Sequence, residues 1–467
     1  MDTLRASEQG LEIIDRARRQ KRWTKTETSA WWETAYTSQA TLKRFWRKLK
    51  IDRYSFIEIC QTVGVDWQEV AEPELEAERT PVNCSIKAFT QIDYSETRWV
   101  GRQDLIAKLY HLLQNECRVL SIIGLTGIGK TALATRLMLE LNERYPDLTV
   151  KTVCFDREVQ GFQRVASQVL GENLSNARQL QNSPELLLNK LLNYLQNNPC
   201  LLVLDMVEEI LVSDGKGGYQ FSEPTFSEFL HQIVKRPEIN TKLVITSQYQ
   251  LPTIGDGRYL MRTYTERLSG LGVEEGFLLF ETWNVYAQNS THLDYLKRII
   301  DIYEGHPLAL RIIAGEVRDR PYNGNIQLYW QDYGYEIEEA EKLRRSTVLQ
   351  SRMDKPRLDR FTNKLFDLVR SRVCKAVERL YTNDKLACLM LCQGAIYRQP
   401  VERKAWLLLI HEYGSIEQAS IAFQNLQRRC LIESEQFDSQ VVYRLHPLLR
   451  RVALEKLDEL EEEIMSW

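Results

Sequence analysis

The order of apolar and polar positions predicts alternating strands and helices in the middle of this chain. Short apolar runs, rich in β-branched residues, alternate with longer segments that have apolar residues at helical spacing. The runs predict strands over 119–123, 150–155, 201–204 and 242–246. The longer segments predict helices around 160–170 and 184–196. Strands that alternate with helices indicate a parallel sheet, with a ligand site where the strands end.

Both flanks of this central region have helical patterns. Residues 1–70 predict a small helical domain in which a polar break, Thr37-Ser38-Gln39, precedes a helix over 39–49. Residues 71–97 are expected to be a linker, because an acidic run and Pro81 argue against a continuous helix. Residues 268–350 predict a further helical region.

Composition is consistent with a multidomain globular protein. The chain has 467 residues, 43% of them hydrophobic, which is enough for two to four domains with their own cores. The net charge is only −3, so a polyanion-binding role would have to be local. The nine cysteines show no CxxC pair, and no metal-ligand spacing is found among the histidines. No signal peptide or membrane-spanning run is found, so a soluble, cytoplasmic protein is expected.

The segment 124–131 fits the pattern G-x-x-x-x-G-K-[ST] of phosphate-binding loops. Its glycines allow a tight turn in which successive N–H groups face phosphate oxygens. Lys130 is expected to reach the β- and γ-phosphates, and the Thr131 hydroxyl to bind Mg²⁺. A predicted strand enters the loop and a helical pattern leaves it. The predicted nucleotide-binding residues of this segment are Gly124, Gly127, Ile128, Gly129, Lys130, Thr131 and Ala132.

A second element of the predicted site is Asp205, which ends the apolar run over 201–204. A carboxylate at a strand end is suited to holding Mg²⁺, so Lys130 and Asp205 are the predicted catalytic residues.

The order of these motifs resembles the NB-ARC branch of the STAND signalling ATPases from residue 98 to about 460. The matching segments are Trp99-Val100-Gly101-Arg102, the phosphate loop, Leu201–Asp205, Thr246-Ser247-Gln248, Gly305–Leu310 and Tyr443–Pro447. The resemblance implies ATP or ADP with Mg²⁺ as cofactors and a winged-helix domain over 351–467. It also implies that Val100 and Arg102 border the adenine, that Pro307 packs on the base, and that His446 hydrogen-bonds the β-phosphate of ADP. The alternative for His446 is a surface histidine beside a proline.

Two positions depart from the family pattern. Met206 stands where a second acid or another polar residue is usual, and methionine cannot accept a proton. Gln248 stands where the family has an arginine that senses the γ-phosphate. We therefore expect slow or absent hydrolysis with retained binding. Glu208 and Glu209 are nearby acids, but their role as bases is a guess at this point.

The N-terminal domain has a concentrated positive charge. Residues 16–53 contain 12 Lys or Arg and 3 Asp or Glu, a local net charge of +9. The domain resembles a helix-turn-helix domain of the phage-repressor type. In that interpretation the DNA-binding residues are Ser38, Gln39, Thr41, Lys43, Arg44, Arg47 and Lys48. Alternatively, the domain is a helical adaptor whose basic face is solvated or contacts an acidic partner.

These observations predict a multidomain, mostly α-helical protein with an α/β P-loop core. The expected domains are a helix-turn-helix domain (1–70), a linker (71–97), a nucleotide-binding domain (98–267), a helical subdomain (268–350) and a winged helix (351–467). The leading hypothesis is a nucleotide-switched regulator that places its N-terminal domain on DNA and forms a homo-oligomer when activated, with no membrane association. The alternative is a defence or conflict assembly protein with an N-terminal protein adaptor. A metabolic kinase is disfavoured, because the segments around Pro307 and His446 have no use in one.

Overall fold

The computed structural model describes residues 3–26, 28–35, 37, 39–49, 51–72, 99–146, 148–155, 161–171, 184–215, 218–254, 258–351, 358–437 and 440–464. The predicted linker therefore lies almost wholly outside the described residues. The chain divides into two compact units, residues 1–84 with 458–467, and residues 85–457.

The first unit is a small helical domain built around tryptophan. Its elements are β1 (Thr3–Leu4), α1 (Glu8–Gln20), α2 (Ser29–Thr34), α3 (Gln39–Trp46), β2 (Ile51–Asp52), α4 (Arg53–Thr62) and α5 (Trp67–Val70), with β1 and β2 antiparallel. Trp31 is fully buried, and its indole N–H donates to the carbonyl of Ile59 at 3.2 Å. Leu42 and Phe45 of the predicted helix are buried, whereas the helix ends at Trp46 and not at residue 49.

The second unit contains a five-stranded, fully parallel sheet. Its strands are β3 (Val119–Ile123), β4 (Thr149–Cys154), β5 (Cys200–Asp205), β8 (Lys242–Ser247) and β9 (Thr263–Arg267), in the order β4-β5-β8-β3-β9. The four predicted strands are confirmed to within about one residue at each end. The fifth, β9, was not predicted, because this edge strand has the polar sequence TYTER.

Helices cover both faces of the sheet. On one face, α6 (Gln103–Gln114) and α7 (Lys130–Arg144) pack against residues such as Leu120 and Val203. On the other, α8 (Phe162–Leu170), α9 (Pro184–Asn197) and α10 (Pro224–Lys235) pack against residues such as Leu202 and Leu204. Alternate residues of a strand point to opposite faces, so two covered faces require a continuous apolar run. This requirement explains why the strands were readable in the sequence.

The carboxyl ends of the five parallel strands lie along the same edge of the sheet. Ile123 is paired with Ser247, and Cys154 with Asp205, so the phosphate loop and Asp205 leave the sheet at the same edge. Between β5 and α10 the chain forms a 3-10 helix (Val207–Ile210) and a hairpin of β6 (Leu211–Ser213) and β7 (Tyr219–Phe221).

The remainder of the second unit is mostly helical. It contains α11 (Val273–Thr282), α12 (Ser290–Ile302), α13 (Pro307–Arg318), α14 (Ile326–Ser351), α15 (Leu358–Asn383), α16 (Lys385–Gly394), α17 (Arg403–Leu409), α18 (Ile416–Arg428) and α19 (Pro447–Ile464), the last of which continues past the boundary of the unit. A three-stranded antiparallel sheet is formed by β10 (Val401–Glu402), β11 (Glu433–Phe437) and β12 (Gln440–Arg444).

Helix α13 is joined to later elements by ion pairs that are buried or half-buried. Glu316 on α13 contacts Arg372 and Arg379 on α15. Arg311 on the same helix donates to Glu433 on β11 at 2.7 Å. A helix that begins beside the phosphate loop, as described below, is thus also anchored in the C-terminal part of the unit.

Candidate nucleotide-binding site

The phosphate loop connects β3 to α7 at the edge where the strands end. Gly127 has φ +77° and Gly129 has φ +98°, a region that L-residues with a Cβ rarely adopt. A Cβ at Gly127 would also lie 2.8 Å from Leu308 and 3.0 Å from His306. Glycine is therefore required here both for the turn and for the close approach of the segment that opens α13.

Lys130, the first residue of α7, is buried inside the loop. Its Nζ donates to the carbonyls of Gly124 at 2.9 Å and Leu125 at 3.0 Å. Burial lowers the pKa of the Lys130 ammonium, whereas the nearby carboxylates of Glu208 and Asp205 act in the opposite direction. The predicted phosphate-binding cation therefore lies within the loop that the motif assigns to it.

The predicted metal ligands lie together. The Thr131 hydroxyl donates to Oδ1 of Asp205 at 2.8 Å, and the Thr246 hydroxyl donates to the same oxygen at 2.6 Å. Asp205 itself is buried. A carboxylate beside a threonine hydroxyl offers the hard oxygen ligands that Mg²⁺ prefers, so these residues fit that ion. Within the described part of the chain, no group of three or more His, Cys, Asp or Glu side chains could hold a metal ion by itself.

A turn after Asp205 brings a second acid into the site. Met206 has φ +62°, and its backbone N–H donates to the Thr246 hydroxyl at 2.9 Å. The following 3-10 helix buries Glu208, whose Oε2 accepts from the backbone N–H of Gln248 at 3.2 Å. Burial raises the pKa of the Glu208 carboxyl, against the opposing effect of the Lys130 charge. Glu208, which the sequence could offer only as a guess, is thus a buried acid beside the phosphate loop.

Arg102 lies against the loop, and an adenine contact remains a prediction. Its Nη2 donates to the carbonyls of Ile128 at 2.8 Å and Ser269 at 2.9 Å. Its backbone N–H donates to Oε1 of Glu275, which also supports the turn before α11. Burial lowers the pKa of the Arg102 guanidinium to about 10. Val100 is half-buried nearby in the sequence.

The segment around Pro307 reaches the loop through its neighbour. Pro307 is the first residue of α13 and is half-buried, and its packing on a base stays a prediction. His306 is fully buried, and its Nε2 lies 3.0 Å from the carbonyl oxygen of Thr126 in the phosphate loop. Burial, together with the charges of Lys130 and Arg102, lowers the pKa of His306 to about 4. In the sequence, His306 is part of the segment Gly305–Leu310, in which only Pro307 has a predicted role.

His446 follows β12 at the start of α19. Its Nδ1 accepts from the backbone N–H of Leu448 at 3.2 Å. Burial lowers its pKa to about 3; Glu433 opposes this effect, and Arg311, Arg444 and His306 add to it. The contact of His446 with a β-phosphate remains a prediction.

Five of the seven predicted DNA-binding residues lie on or just after α3. Thr41, Lys43 and Arg44 are half-buried, whereas Arg47 and Lys48 are exposed. Lys48 contacts Glu8 of α1, with its Nζ 2.6 Å from Oε1, and this contact lowers the pKa of the Glu8 carboxyl.

The other two residues of this set precede these five in the sequence. Ser38 lies outside the described residues, and Gln39 is described only as the first residue of α3, without its side chain. Both DNA contacts therefore remain predictions. Separately, no helix in the described part of the chain is long and apolar enough to cross a membrane.

Comparison with known proteins supports a nucleotide-binding domain. Residues 113–254 match the family model described as an AAA domain. Together with the loop, the parallel sheet and the position of Asp205, this match identifies a P-loop NTPase-type domain.

A curated relative is an uncharacterized WD repeat-containing protein of Nostoc sp. (strain PCC 7120 / SAG 25.82 / UTEX 2576). It is 26% identical over 512 aligned residues, which cover 100% of this chain and 37% of the relative. The chain thus spans little more than a third of the length of that protein.

Two solved structures are also similar. One is a Signal Transduction ATPase with Numerous Domains (STAND) protein with a tetratricopeptide repeat sensor from Pyrococcus horikoshii, 16% identical, with a TM-score of 0.47 over 80% of this chain and 44% of that one. The other is the Aeropyrum pernix ORC2 protein, 15% identical, with a TM-score of 0.34 over 81% of this chain and 100% of that one. Likenesses of this strength do not establish a shared function.

Proposed function

We propose that this protein is a regulator of the NB-ARC/STAND type that is switched by binding ATP or ADP with Mg²⁺. The observation that carries the proposal is the meeting of Lys130, Thr131 and Asp205 at the edge of a parallel sheet. A buried cation inside a glycine loop suits phosphate, and the hydroxyl and carboxylate suit its metal ion. Bound Mg²⁺ would neutralise phosphate charge.

Hydrolysis in this proposal is slow. Met206 cannot act as a base, and Gln248 supplies its backbone N–H to Glu208 without bringing a cation. Glu208 is the acid best placed to orient or deprotonate a water, because it is buried near Lys130 and its pKa is raised. A carboxyl whose pKa is raised toward neutrality is a better general base, yet the missing sensor cation still limits the rate.

The switch is proposed to act through the C-terminal region. The order α16, β10, α17, α18, β11, β12, with two strands forming a hairpin, supports a winged-helix interpretation. His446 follows that hairpin by two residues, and His306 contacts the phosphate loop. ADP held by the loop and by His446 would stabilise the resting form, and exchange for ATP would release it and permit oligomerisation.

The proposed output is DNA binding by residues 1–70 of the activated homo-oligomer. Helices α2 and α3, with a basic face after α3, support a helix-turn-helix interpretation. The alternative, a defence or conflict assembly protein with an N-terminal adaptor, is supported by the Lys48–Glu8 ion pair, because it offsets part of that basic face.

The decisive test is calorimetry of ADP and ATP binding, with Mg²⁺, to the full chain and to Lys130→Ala. We expect the substitution to weaken binding by more than about 100-fold, because charge-assisted hydrogen bonds to two phosphates are lost. Lys108→Ala is the matched control, since Lys108 is an exposed lysine of the same domain paired with Glu266. Equal affinity of wild type and Lys130→Ala for both nucleotides would refute the proposal.

A further inference from the structure

Two peptide carbonyls of the phosphate loop are held from outside by side chains of other segments. His306 contacts the carbonyl oxygen of Thr126 at 3.0 Å, and Arg102 donates to that of Ile128 at 2.8 Å. Because a carbonyl can only accept, Nε2 of His306 must carry the proton in this contact. Neither the two carbonyls nor the two side chains are groups that the phosphate-loop motif uses to bind phosphate.

Holding a carbonyl fixes the donor on the same peptide unit. A trans peptide is planar, so the C=O of one residue and the N–H of the next point in opposite directions. A Thr126 carbonyl that is turned outward to His306 therefore turns the N–H of Gly127 toward the inside of the loop. The Ile128 carbonyl and the N–H of Gly129 are related in the same way. These are the N–H groups that a phosphate-binding loop presents to the anion.

His306 is itself held firmly. A Cβ at Gly305 would lie 1.9 Å from the carbonyl oxygen of Leu271, and the Leu271 N–H donates to the Gly305 carbonyl at 2.8 Å. The turn before α13 thus packs closely against the turn before α11. In the turn before α11, the Ser269 carbonyl also accepts a hydrogen bond from Arg102. The second ring nitrogen, Nδ1, is buried and has no hydrogen-bond partner among the described residues. Among the described residues, the ring therefore has a single polar anchor, the Thr126 carbonyl.

We propose that His306 is a positioning residue that orients the Gly127 N–H toward the phosphates of a bound nucleotide without touching the nucleotide. The proposal rests on the nucleotide binding proposed above. Under this proposal, the affinity for the phosphate chain depends on the position of the first turn of α13 relative to the phosphate loop. The affinity for the nucleoside does not depend on it. Since α13 also carries Arg311, which binds Glu433, movement of the C-terminal region would change phosphate affinity through this one contact.

Three variants of the full chain test the proposal with ADP, pyrophosphate and adenosine as probes. His306→Leu removes the donor, and His306→Gln keeps one at about the same reach. His306→Asn keeps a polar residue that is favourable at a helix N-cap, but its shorter side chain does not reach Thr126. We expect Leu and Asn to weaken ADP and pyrophosphate binding by about tenfold, the effect of one lost hydrogen bond. Gln should restore binding to within about twofold, with adenosine affinity unchanged throughout.

The outcomes separate this inference from the proposed function. If wild type binds neither ADP nor pyrophosphate, the nucleotide switch itself fails. If wild type binds both and the Asn variant binds pyrophosphate equally well, only the role of His306 is overturned. Equal losses for adenosine and pyrophosphate would likewise overturn it, because they would indicate general damage to the site. The Asn and Gln variants keep the test valid if the Leu variant does not fold.

Discussion

The phosphate loop and the basic surface after α3 are the two places where the sequence predicts binding of a phosphate-bearing partner, and their structures differ. Around the loop the charged groups are buried and fixed: Lys130 by two carbonyls, Asp205 by two hydroxyls, and Glu208 by a backbone N–H. On the basic surface, Arg47 and Lys48 are exposed, and Lys48 is paired with Glu8. A sequence motif of fixed spacing thus predicts the geometry of a binding site. An excess of basic residues predicts only a positive electrostatic potential at the surface.

The difference has energetic consequences. Buried charges interact in a low effective dielectric, so removing one changes binding or stability strongly. Exposed charges are screened by salt, and an exposed ion pair contributes about 0–1 kcal/mol. We therefore expect large effects from substitutions around the loop and small, salt-dependent effects on the basic surface.

The largest effect expected is a loss of stability between pH 6.5 and pH 4 that falls mainly on the second unit. All six histidines lie after residue 100, and the pKa of His306 is lowered from 6.5 to about 4. The unfolded chain therefore binds more protons between these values, and stability is lost as pH falls from 6.5 to 4. The pKa difference corresponds to about 3 kcal/mol. Hydrogen exchange of peptides from residues 119–267 and from residues 3–72, followed from pH 7 to 4, measures both units.

The control for this prediction is His306→Gln, which keeps a donor and cannot titrate. Its exchange rates over 119–267 should depend less on pH, with a residual dependence from His446, whose pKa is also lowered. The prediction fails if residues 3–72 lose protection over the same pH range as residues 119–267, or if the Gln variant has the same pH dependence as wild type.

The next effect concerns hydrolysis. Glu208→Gln keeps the shape of the side chain and removes the base, so we expect about a 100-fold slower phosphate release from bound ATP, with unchanged ADP affinity. Glu209→Gln is the matched control, because Glu209 is the adjacent acid and is exposed. Single-turnover release of phosphate measures both variants. An unchanged rate in Glu208→Gln would mean that another group activates the water.

Met206→Asp is a second test of the hydrolysis prediction. It introduces an acid at the position where the resemblance to NB-ARC proteins implies an acid or another polar residue, and we expect it to raise hydrolysis under saturating ATP. A wild-type rate near that of ordinary enzymes, about 10 s⁻¹, would contradict the premise that hydrolysis is slow.

How far the site could be read from the sequence depends on whether its residues are neighbours in the chain. The strands and the loop were predicted because their patterns are local, and Asp205 was predicted because it ends a buried strand. The role of Glu208 could not be assigned from the sequence, because its burial depends on the turn at Met206, which has φ +62°. Strand β9 was missed, because an edge strand need not be apolar.

The role of His306 illustrates the same limit. In sequence it is a histidine between Gly305 and Pro307, and its contact with Thr126 joins residues 180 positions apart. That contact depends on the packing of the turn before α13 against the turn before α11, which leaves no periodic signal. Arg102 is similar: its adenine contact stays a prediction, and its guanidinium donates to the carbonyl of Ile128 in the phosphate loop and to that of Ser269 before α11.

A smaller effect is expected from His446→Ala. If His446 ties the C-terminal region to ADP, its loss removes one hydrogen bond to a phosphate, and ADP should dissociate about tenfold faster. Stopped-flow displacement of a fluorescent ADP analogue measures this rate, and light scattering reports any oligomer formed. His411→Ala is the control, because His411 is an exposed histidine of the same region. Dissociation rates and masses equal to wild type would mean that His446 does not hold ADP.

The smallest effects are expected on the basic surface, where they also decide between DNA and a protein partner. If residues 1–70 bind DNA, neutralised phosphates release counterions and affinity falls as salt rises. Arg47→Ala should then flatten the salt dependence by about one unit on every sequence. Lys48→Ala should have less effect, because its charge is already offset by Glu8. Glu8→Gln should strengthen binding, whereas changes at Gln39 or Thr41 should alter preference among sequences.

The measurement uses the full chain with ATP, ADP or no nucleotide, on genomic DNA fragments at several salt concentrations. A single small domain binds weakly, so detectable affinity is expected first for the ATP-bound oligomer, in which linked domains raise the effective concentration. If Glu8→Gln strengthens DNA binding and Arg47→Ala weakens it, the positive charge of this surface contributes to DNA binding. If no nucleotide state gives salt-dependent binding, and residues 1–70 of the full chain instead retain a protein partner in a pull-down that Arg47→Ala abolishes, the adaptor interpretation replaces the DNA-binding one.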